Sequence, residues 1–253
     1  MAFRCRTALF AAAGAGFLCF ALTGCGSSDP GDAPVEHKNF ALGGKALTID
    51  AGNSTVVVTP ADVKDVRVAR QVNGWVAFGN GPDASWELSN GTLSLGVKCS
   101  GLVKNCSARH EVKVPRGVAV TVHDNDGRVE ASGFDTPLVI ASDNGRISVK
   151  DSSGPLDLTS RDGRIDGQGI RAKSVRASSD NGRVALTFAV VPDSVVATSN
   201  DGRVDLAVPK DAYKVAARAD NGRVDVTVDR SDSSTHVLTA RSDNGRVSVH
   251  NNS

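Results

Sequence analysis

The chain has 253 residues, with 29 lysines and arginines against 28 aspartates and glutamates, and only 4% of it is aromatic. A near-neutral balance gives no reason to expect a nucleic-acid partner, and the scarcity of aromatic rings leaves few platforms on which bases or sugars would stack. Glycine is abundant at 26 residues, and cysteine is limited to five.

Residues 1–24 predict an export signal. Arg4 and Arg6 precede an apolar run at 8–22 that is too short to span a bilayer comfortably. The run ends in Leu22-Thr23-Gly24-Cys25, which looks like the lipobox of bacterial lipoproteins, so Cys25 is expected to carry lipid on the outer face of a bacterial membrane. An ordinary export signal that happens to contain a cysteine is the alternative. Residues 25–38 hold "GSSDPGDAPVEHK" after the cysteine and read as a flexible tether.

Residues 39–116 are strand-like but irregular and predict a β cap. "WELSNGTLSL" places Asn90-Gly91 between alternating residues, a hairpin signal. With Cys5 and Cys19 in the signal and Cys25 lipidated, Cys99 and Cys106 remain as an even pair in an oxidising compartment, which predicts a disulfide.

From residue 117 to 253 one corner recurs: DNDGRV, SDNGRI, SRDGRI, SDNGRV, SNDGRV, ADNGRV, SDNGRV. Its glycines are Gly127, Gly145, Gly163, Gly182, Gly202, Gly222 and Gly245, spaced by 18, 18, 19, 20, 20 and 23 residues. A period kept through seven copies marks a solenoid or an array. Apolar residues stand seven and five before each glycine (Leu138 and Ile140, for example) and two and four after it (Ile147 and Val149). Each repeat is therefore two short half-buried strands joined at a turn. Asp or Asn before Gly is expected there because such residues tolerate positive φ. Serines three before the glycine (Ser142, Ser160, Ser179, Ser199, Ser242) suit a narrow inward corner.

Two architectures use these columns. Antiparallel hairpins with Asn-Gly turns would assemble into a sandwich or propeller. Parallel coils would stack like residue on like, and the identity of every column favours this all-β, parallel β-solenoid (β-helix-like) arrangement of about seven coils behind the irregular cap. The repeats resemble those of a β-strand-repeat family of bacterial exported proteins, catalogued as adhesin candidates, with "S-x-N-G-x-V-x-V" coils after a less regular amino-terminal stretch. The likeness runs from about residue 40 to 250. It implies a β-helix-like fold at the cell envelope and transfers little mechanism.

Packing does not explain one column. Arg128, Arg146, Arg164, Arg183, Arg203, Arg223 and Arg246 each follow the corner glycine and should point outward, ~4.8 Å apart in a solenoid. Acids at the same corners, Asp126, Asp143 and their equivalents, predict a self-neutralising ladder. The sharper expectation is a row that binds a linear envelope polysaccharide or a phosphate-bearing wall polymer. The histidines are scattered, HExxH and GxSxG are absent, and the "DNDG" corner lacks the acids of a calcium loop. No catalytic, metal or cofactor residue is assigned, and no enzyme is expected. The function expected is a lipid-anchored, non-enzymatic, adhesin-like envelope scaffold. A structural or stress-sensing lipoprotein acting through a protein partner is the alternative, and a polysaccharide-cleaving β-helix enzyme is a more distant one.

Overall fold

The computed structural model describes residues 33–252; the export signal, Cys25 and most of the tether lie outside them. Eighteen strands and no helix are found among the described residues. Strand β1 (Glu36–Phe40) is followed by β2 (Ala46–Asp50) and β3 (Thr55–Ala61), then by two 24-residue strands, β4 (Val66–Ser89) and β5 (Thr92–Pro115). The turn joining β4 to β5 is the Asn90-Gly91 corner, with φ of 50° and 77°, the paired positive angles that a two-residue hairpin of right-handed twist requires.

The repeats then alternate short strands: β6 (Ala119–Asp124), β7 (Arg128–Ser132), β8 (Leu138–Ser142), β9 (Arg146–Lys150), β10 (Leu156–Ser160), β11 (Ile165–Ile170), β12 (Ser174–Ser179), β13 (Val184–Phe188), β14 (Ser194–Asp201) and β15 (Val204–Val208). From β6 to β13 each pairs in parallel with its counterpart in the next repeat. Val120 faces Leu138, Leu138 faces Leu156, Leu156 faces Val175, and Val175 faces Val195. Beyond the corner, Val129, Ile147, Ile165, Val184 and Val204 form a second file. The chain is a parallel solenoid, and independent hairpins are ruled out. All the residues of these two files are buried. The return segments close the cross-section with Phe134, Ile170, Phe188 and Tyr213. Burying each large apolar side chain contributes about 1.5–3 kcal/mol, which a lone coil could not realise because its interior has no second layer.

The corner glycines are not at positive φ, contrary to the expectation from their Asx-Gly sequence. Their role is close approach between layers. A Cβ on Gly145 would lie 1.9 Å from the Gly127 carbonyl oxygen, one on Gly163 1.8 Å from that of Gly145, and one on Gly182 1.9 Å from that of Gly163. Any side chain would force the coils apart.

Stacking starts before the first repeated corner. Leu47 and Ile49 of β2 face Val120 and Val122, and Val56 and Val58 of β3 face Val129 and Ala131. The stretch expected as an irregular cap thus contains a coil of its own. The long hairpin lies beneath it: the two ends of β5 pair with β2 and β3, and β4 and then β1 continue the sheet in antiparallel sense. Arg70 anchors this end, ion-paired to Glu36 and set 4.0 Å over the Trp86 ring.

The other end departs from chain order. Strands β16 (Ala212–Val226), β17 (Asp229–Arg230) and β18 (Val237–Asn251) finish the chain. Yet β14 and β15 pair with β18, not β16: Val195 faces Leu238 and Val204 faces Val247. In turn Leu238 faces Val215, and Val247 faces Val224. The last coil is therefore inserted between its two predecessors, and β16 forms the outer layer. Residues 247–249 therefore lie between β15 and β16, inside the stack. In the inner coil Ser242 donates to the Gly202 carbonyl at 2.9 Å, as Ser199 does to Gly182 at 2.8 Å. The outer coil carries Ala219 at that position and can make no such bond.

Candidate functional site

Residues that follow the corner glycine begin the second strand of each coil and point to solvent, so parallel register converts one arginine per repeat into a file. Arg128 faces Arg146, and Arg223 faces Arg246. The file reaches back into the hairpin: Thr55 faces Arg109 and, one residue before the Val56–Val129 pair, stands beside Arg128. Arg109 carries no corner glycine before it, and its place could be read from sequence only by matching "RHE" to the "RVE" of the first corner.

The arginines do not pair with the corner acids, as expected, but with acids two residues further along the same outward face. Arg109 meets Glu111 at 3.3 Å, Arg128 meets Glu130 at 3.7 Å, and Arg164 meets Asp166 at 2.6 Å. Arg183 reaches across a layer to Asp205 at 2.8 Å, which His250 also approaches at 3.2 Å. The reason is strand geometry: residues i and i+2 share a face, whereas the turn directs the corner acids elsewhere. Arg146, Arg203, Arg223 and Arg246 form no ion pair among the described residues. Serine or alanine stands two residues on from Arg146, Arg183 and Arg246.

The corner acids have partners of their own. Along the rod the corners alternate Asn125-Asp126, Asp143-Asn144, Arg161-Asp162, Asp180-Asn181, Asn200-Asp201 and Asp243-Asn244, so carboxylate rarely meets carboxylate until the outer coil, where Asp220-Asn221 repeats the order of Asp243-Asn244. Amide nitrogens of Asn144, Asn181 and Asn244 each donate to the neighbouring Asp126, Asp162 and Asp201 at 2.6 Å. Arg161 pairs with Asp143 at 3.2 Å. In-register stacking would otherwise set like charges ~4.8 Å apart, and the alternation removes that repulsion.

Inside the corner runs a buried polar seam. Ser142 and Ser160 accept from the amides of Gly145 and Gly163 at 3.0 and 2.9 Å, and Ser179 donates to the Gly163 carbonyl at 3.1 Å. In the first repeat the seam position is Asp124, 4% exposed, and neither carboxylate oxygen has a well-formed hydrogen bond. Burial pushes its pKa up to about 6, aided by Asp126 and Asp143, against the opposing pull of the Gly127 amide and the Ser142 hydroxyl. One layer below, Ser54 donates to the Ala51 carbonyl at 2.9 Å and contacts His110 Nδ1 at 3.1 Å. His110 fills an apolar slot of the second strand, fully buried, and desolvation followed by the charge of Arg70 lowers its pKa to about 4. A serine and histidine in contact invite comparison with a hydrolase. Here the imidazole is sealed from solvent, the Ser54 hydroxyl proton goes to the Ala51 carbonyl, and His110 Nε2 has no hydrogen-bond partner to orient it, so the pair is not assembled for catalysis. No cluster of three metal-ligating side chains occurs among the described residues.

A further surface was not foreseen. Between their anchored ends, β4 and β5 form a two-stranded ribbon that bends back on itself, tied by the Cys99–Cys106 disulfide. Its tip exposes Trp75, Phe78, Leu102 and Val103, with Phe78 87% and Leu102 86% exposed. A recess of about 330 Å³ lies beneath the disulfide, between Ser54, Val97 and Ala108.

Residues 45–253 match the model of a protein family described as Toastrack DUF4097. No curated protein sequence matches the chain. Among solved structures, a protein named as a candidate cell adhesion protein from Clostridium sporogenes is similar at 10% identity and a TM-score of 0.36, over 87% of this chain and 99% of that one. A protein named as a candidate adhesin from Bacteroides fragilis is similar at 13% identity and a TM-score of 0.37, over 87% of this chain and 97% of that one.

Proposed function

The chain belongs to the Toastrack DUF4097 family, and from that premise we propose that it is a non-enzymatic, adhesin-like binding scaffold, lipid-anchored through Cys25 at the outer face of a bacterial membrane. The anchor rests on the Leu22-Thr23-Gly24-Cys25 motif, and the ligand is a linear anionic envelope polymer, either an acidic polysaccharide or a phosphate-bearing wall polymer. One observation carries the binding half: a straight file of exposed guanidinium groups at layer spacing, in which Arg146, Arg203 and Arg246 have no acid to satisfy them. Guanidinium forks recognise carboxylate and phosphate in two-point contacts, and a regular row offers such contacts to a regular chain. Glu130, Asp166 and Asp205 limit the charge, so affinity should be modest and strongly salt-dependent.

The test replaces Arg146, Arg203 and Arg246 together with glutamine. The fold should be retained, because none of the three is paired, while salt-sensitive retention on isolated wall polymer should fall at least tenfold. Unchanged retention would reject the file as the binding surface. A second reading, docking to an envelope protein partner, is favoured by the ribbon tip, since adjacent large apolar side chains exposed to this degree mark interaction sites. Phe78→Ser with Leu102→Ser would abolish such docking and leave polymer retention intact.

A further inference from the structure

The two ends of the rod differ. At the hairpin end β1, five residues long, covers residues 66–70 of β4, and side chains of Arg70 and Lys38 donate to the Ala84 and Trp86 carbonyls further along the β4 edge. At the other end β16 presents its outer edge, and β17 covers only Ala212 and Tyr213, leaving residues 214–226 without a ladder on that side among the described residues. The interior is uncovered there too. Val224 is 41% exposed, whereas Val204 and Val247 in the same file are 0% exposed. Backbone groups and apolar columns are thus left open together, the condition in which an edge recruits another strand.

The sequence of this edge specifies what covers it. We propose that a second copy of the chain pairs its own β16 against this one, antiparallel and about a two-fold axis passing between Asn221 and Gly222. In that register Arg218 meets Asp225 of the second copy, and Asp220 meets Arg223 of the second copy, each contact made twice. On the inward side Ala217 meets Val226 and Ala219 meets Val224. Inward residues fall opposite inward ones and outward opposite outward, because the corner shifts the parity of the strand midway. Every charge on this edge from 218 to 225 finds its opposite.

The pattern belongs to this coil alone. At the places of Arg218 and Asp225 the other coils carry His123 and Glu130, Ala141 and Ser148, Thr159 and Asp166, Ser178 and Ala185, Thr198 and Asp205, or Arg241 and Ser248. Arg218 and Asp220 already hold one another in the single chain, so the edge is pre-ordered. Head-to-tail growth is disfavoured, since at the hairpin end β1 covers residues 66–70 and the Arg70 and Lys38 side chains occupy carbonyls of the β4 edge that a thirteen-residue partner strand would need. The assembly is therefore a closed dimer, with two arginine files extending in opposite directions from the junction, not a fibre.

The test uses the purified chain carrying Cys25→Ser, so that no lipid contributes, and measures mass by sedimentation velocity over a hundredfold range of concentration. The unaltered edge should give a dimer. Arg218→Asp alone and Asp225→Arg alone should each be monomeric, because each opposes like charges to itself. Mixing the two single variants should restore a dimer containing one of each, as should Arg218→Asp with Asp225→Arg in one chain. Circular dichroism checks that each variant is folded. Should Arg218→Asp fail to fold, Asp225→Arg alone and the chain carrying both changes decide the matter. A monomer at every concentration, assembly beyond two copies, a dimer indifferent to both reversals, or a chain that gains a strand only from envelope extract would each overturn the proposal.

Discussion

Asp124→Ser puts into the first repeat the residue that Ser142, Ser160, Ser179, Ser199 and Ser242 supply elsewhere, and it should alter how stability depends on pH. The Asp124 carboxyl has a pKa of about 6 in the fold against an ordinary 3.8. The folded state therefore holds that proton more tightly. Its contribution is fully present below pH 3.8 and is lost as pH rises through 6, a fall of up to ~3 kcal/mol. His110 acts in the opposite sense. With a folded pKa of about 4 against 6.5, it contributes stability above pH 6.5 that is lost as pH falls through 4, also ~3 kcal/mol. Between pH 4 and 6.5 the two slopes offset, so the intact chain should owe almost no pH dependence to this pair. In Asp124→Ser only the His110 slope remains: stability should rise by ~3 kcal/mol across that window, and at pH 7 the variant should exceed the parent by up to ~3 kcal/mol. Urea unfolding followed by circular dichroism at several pH values would read this directly. A variant less stable than the parent at pH 7, or with an unchanged profile, would refute the reasoning.

Gly182→Ala should cost more than ~4 kcal/mol or prevent folding, since its Cβ would lie 1.9 Å from the Gly163 oxygen; Gly117→Ala, at φ +77° with open space around it, should cost only ~1–2 kcal/mol in thermal or urea melts. Asn181→Asp would set a carboxylate between Asp162 and Asp201 and should lose ~1 kcal/mol or more, recovered only in part when Asp162→Asn is added because Asp201 still faces it, as a double-mutant cycle in urea would show. Removing the disulfide with Cys99→Ser and Cys106→Ser should cost ~2–3 kcal/mol by releasing a short closed loop, with faster hydrogen exchange confined to the ribbon and unchanged in β8 to β13.

Much of the architecture was legible because a solenoid writes its cross-section once per turn. The 18- to 23-residue period, the apolar columns and the inward serines translate directly into layers. The reason for the glycines was not legible. Asn-Gly at 90–91 and Asn-Gly at 144–145 look alike, yet the first needs positive φ and the second needs a neighbour's carbonyl within reach, which only the stacked structure supplies. The insertion of the last coil left one faint mark, the 23-residue spacing before Gly245, and a longer connection does not by itself say which layer the coil joins. The coil of β2 and β3 was missed because its corner, "AGNS", carries neither the aspartate nor the arginine of the others. In the site, the arginine file was visible but its pairing was not: the corner acids are nearer in sequence, while residues two apart on one strand face are nearer in space. The apolar ribbon tip was invisible, since Phe78 and Leu102 sit in segments whose alternation reads as an ordinary half-buried strand.

The layer order is the claim on which the scaffold, the arginine file and the exposed β16 edge all depend. Spin labels on Thr198 with Arg241, on Arg218 with Arg241, and on Thr198 with Arg218 would report it through dipolar broadening. The first two pairs face each other across one layer spacing and should couple strongly, while the third spans two layers and should couple weakly. Stronger coupling between positions 198 and 218 than between 198 and 241 would mean that the coils follow chain order, and the account would be wrong.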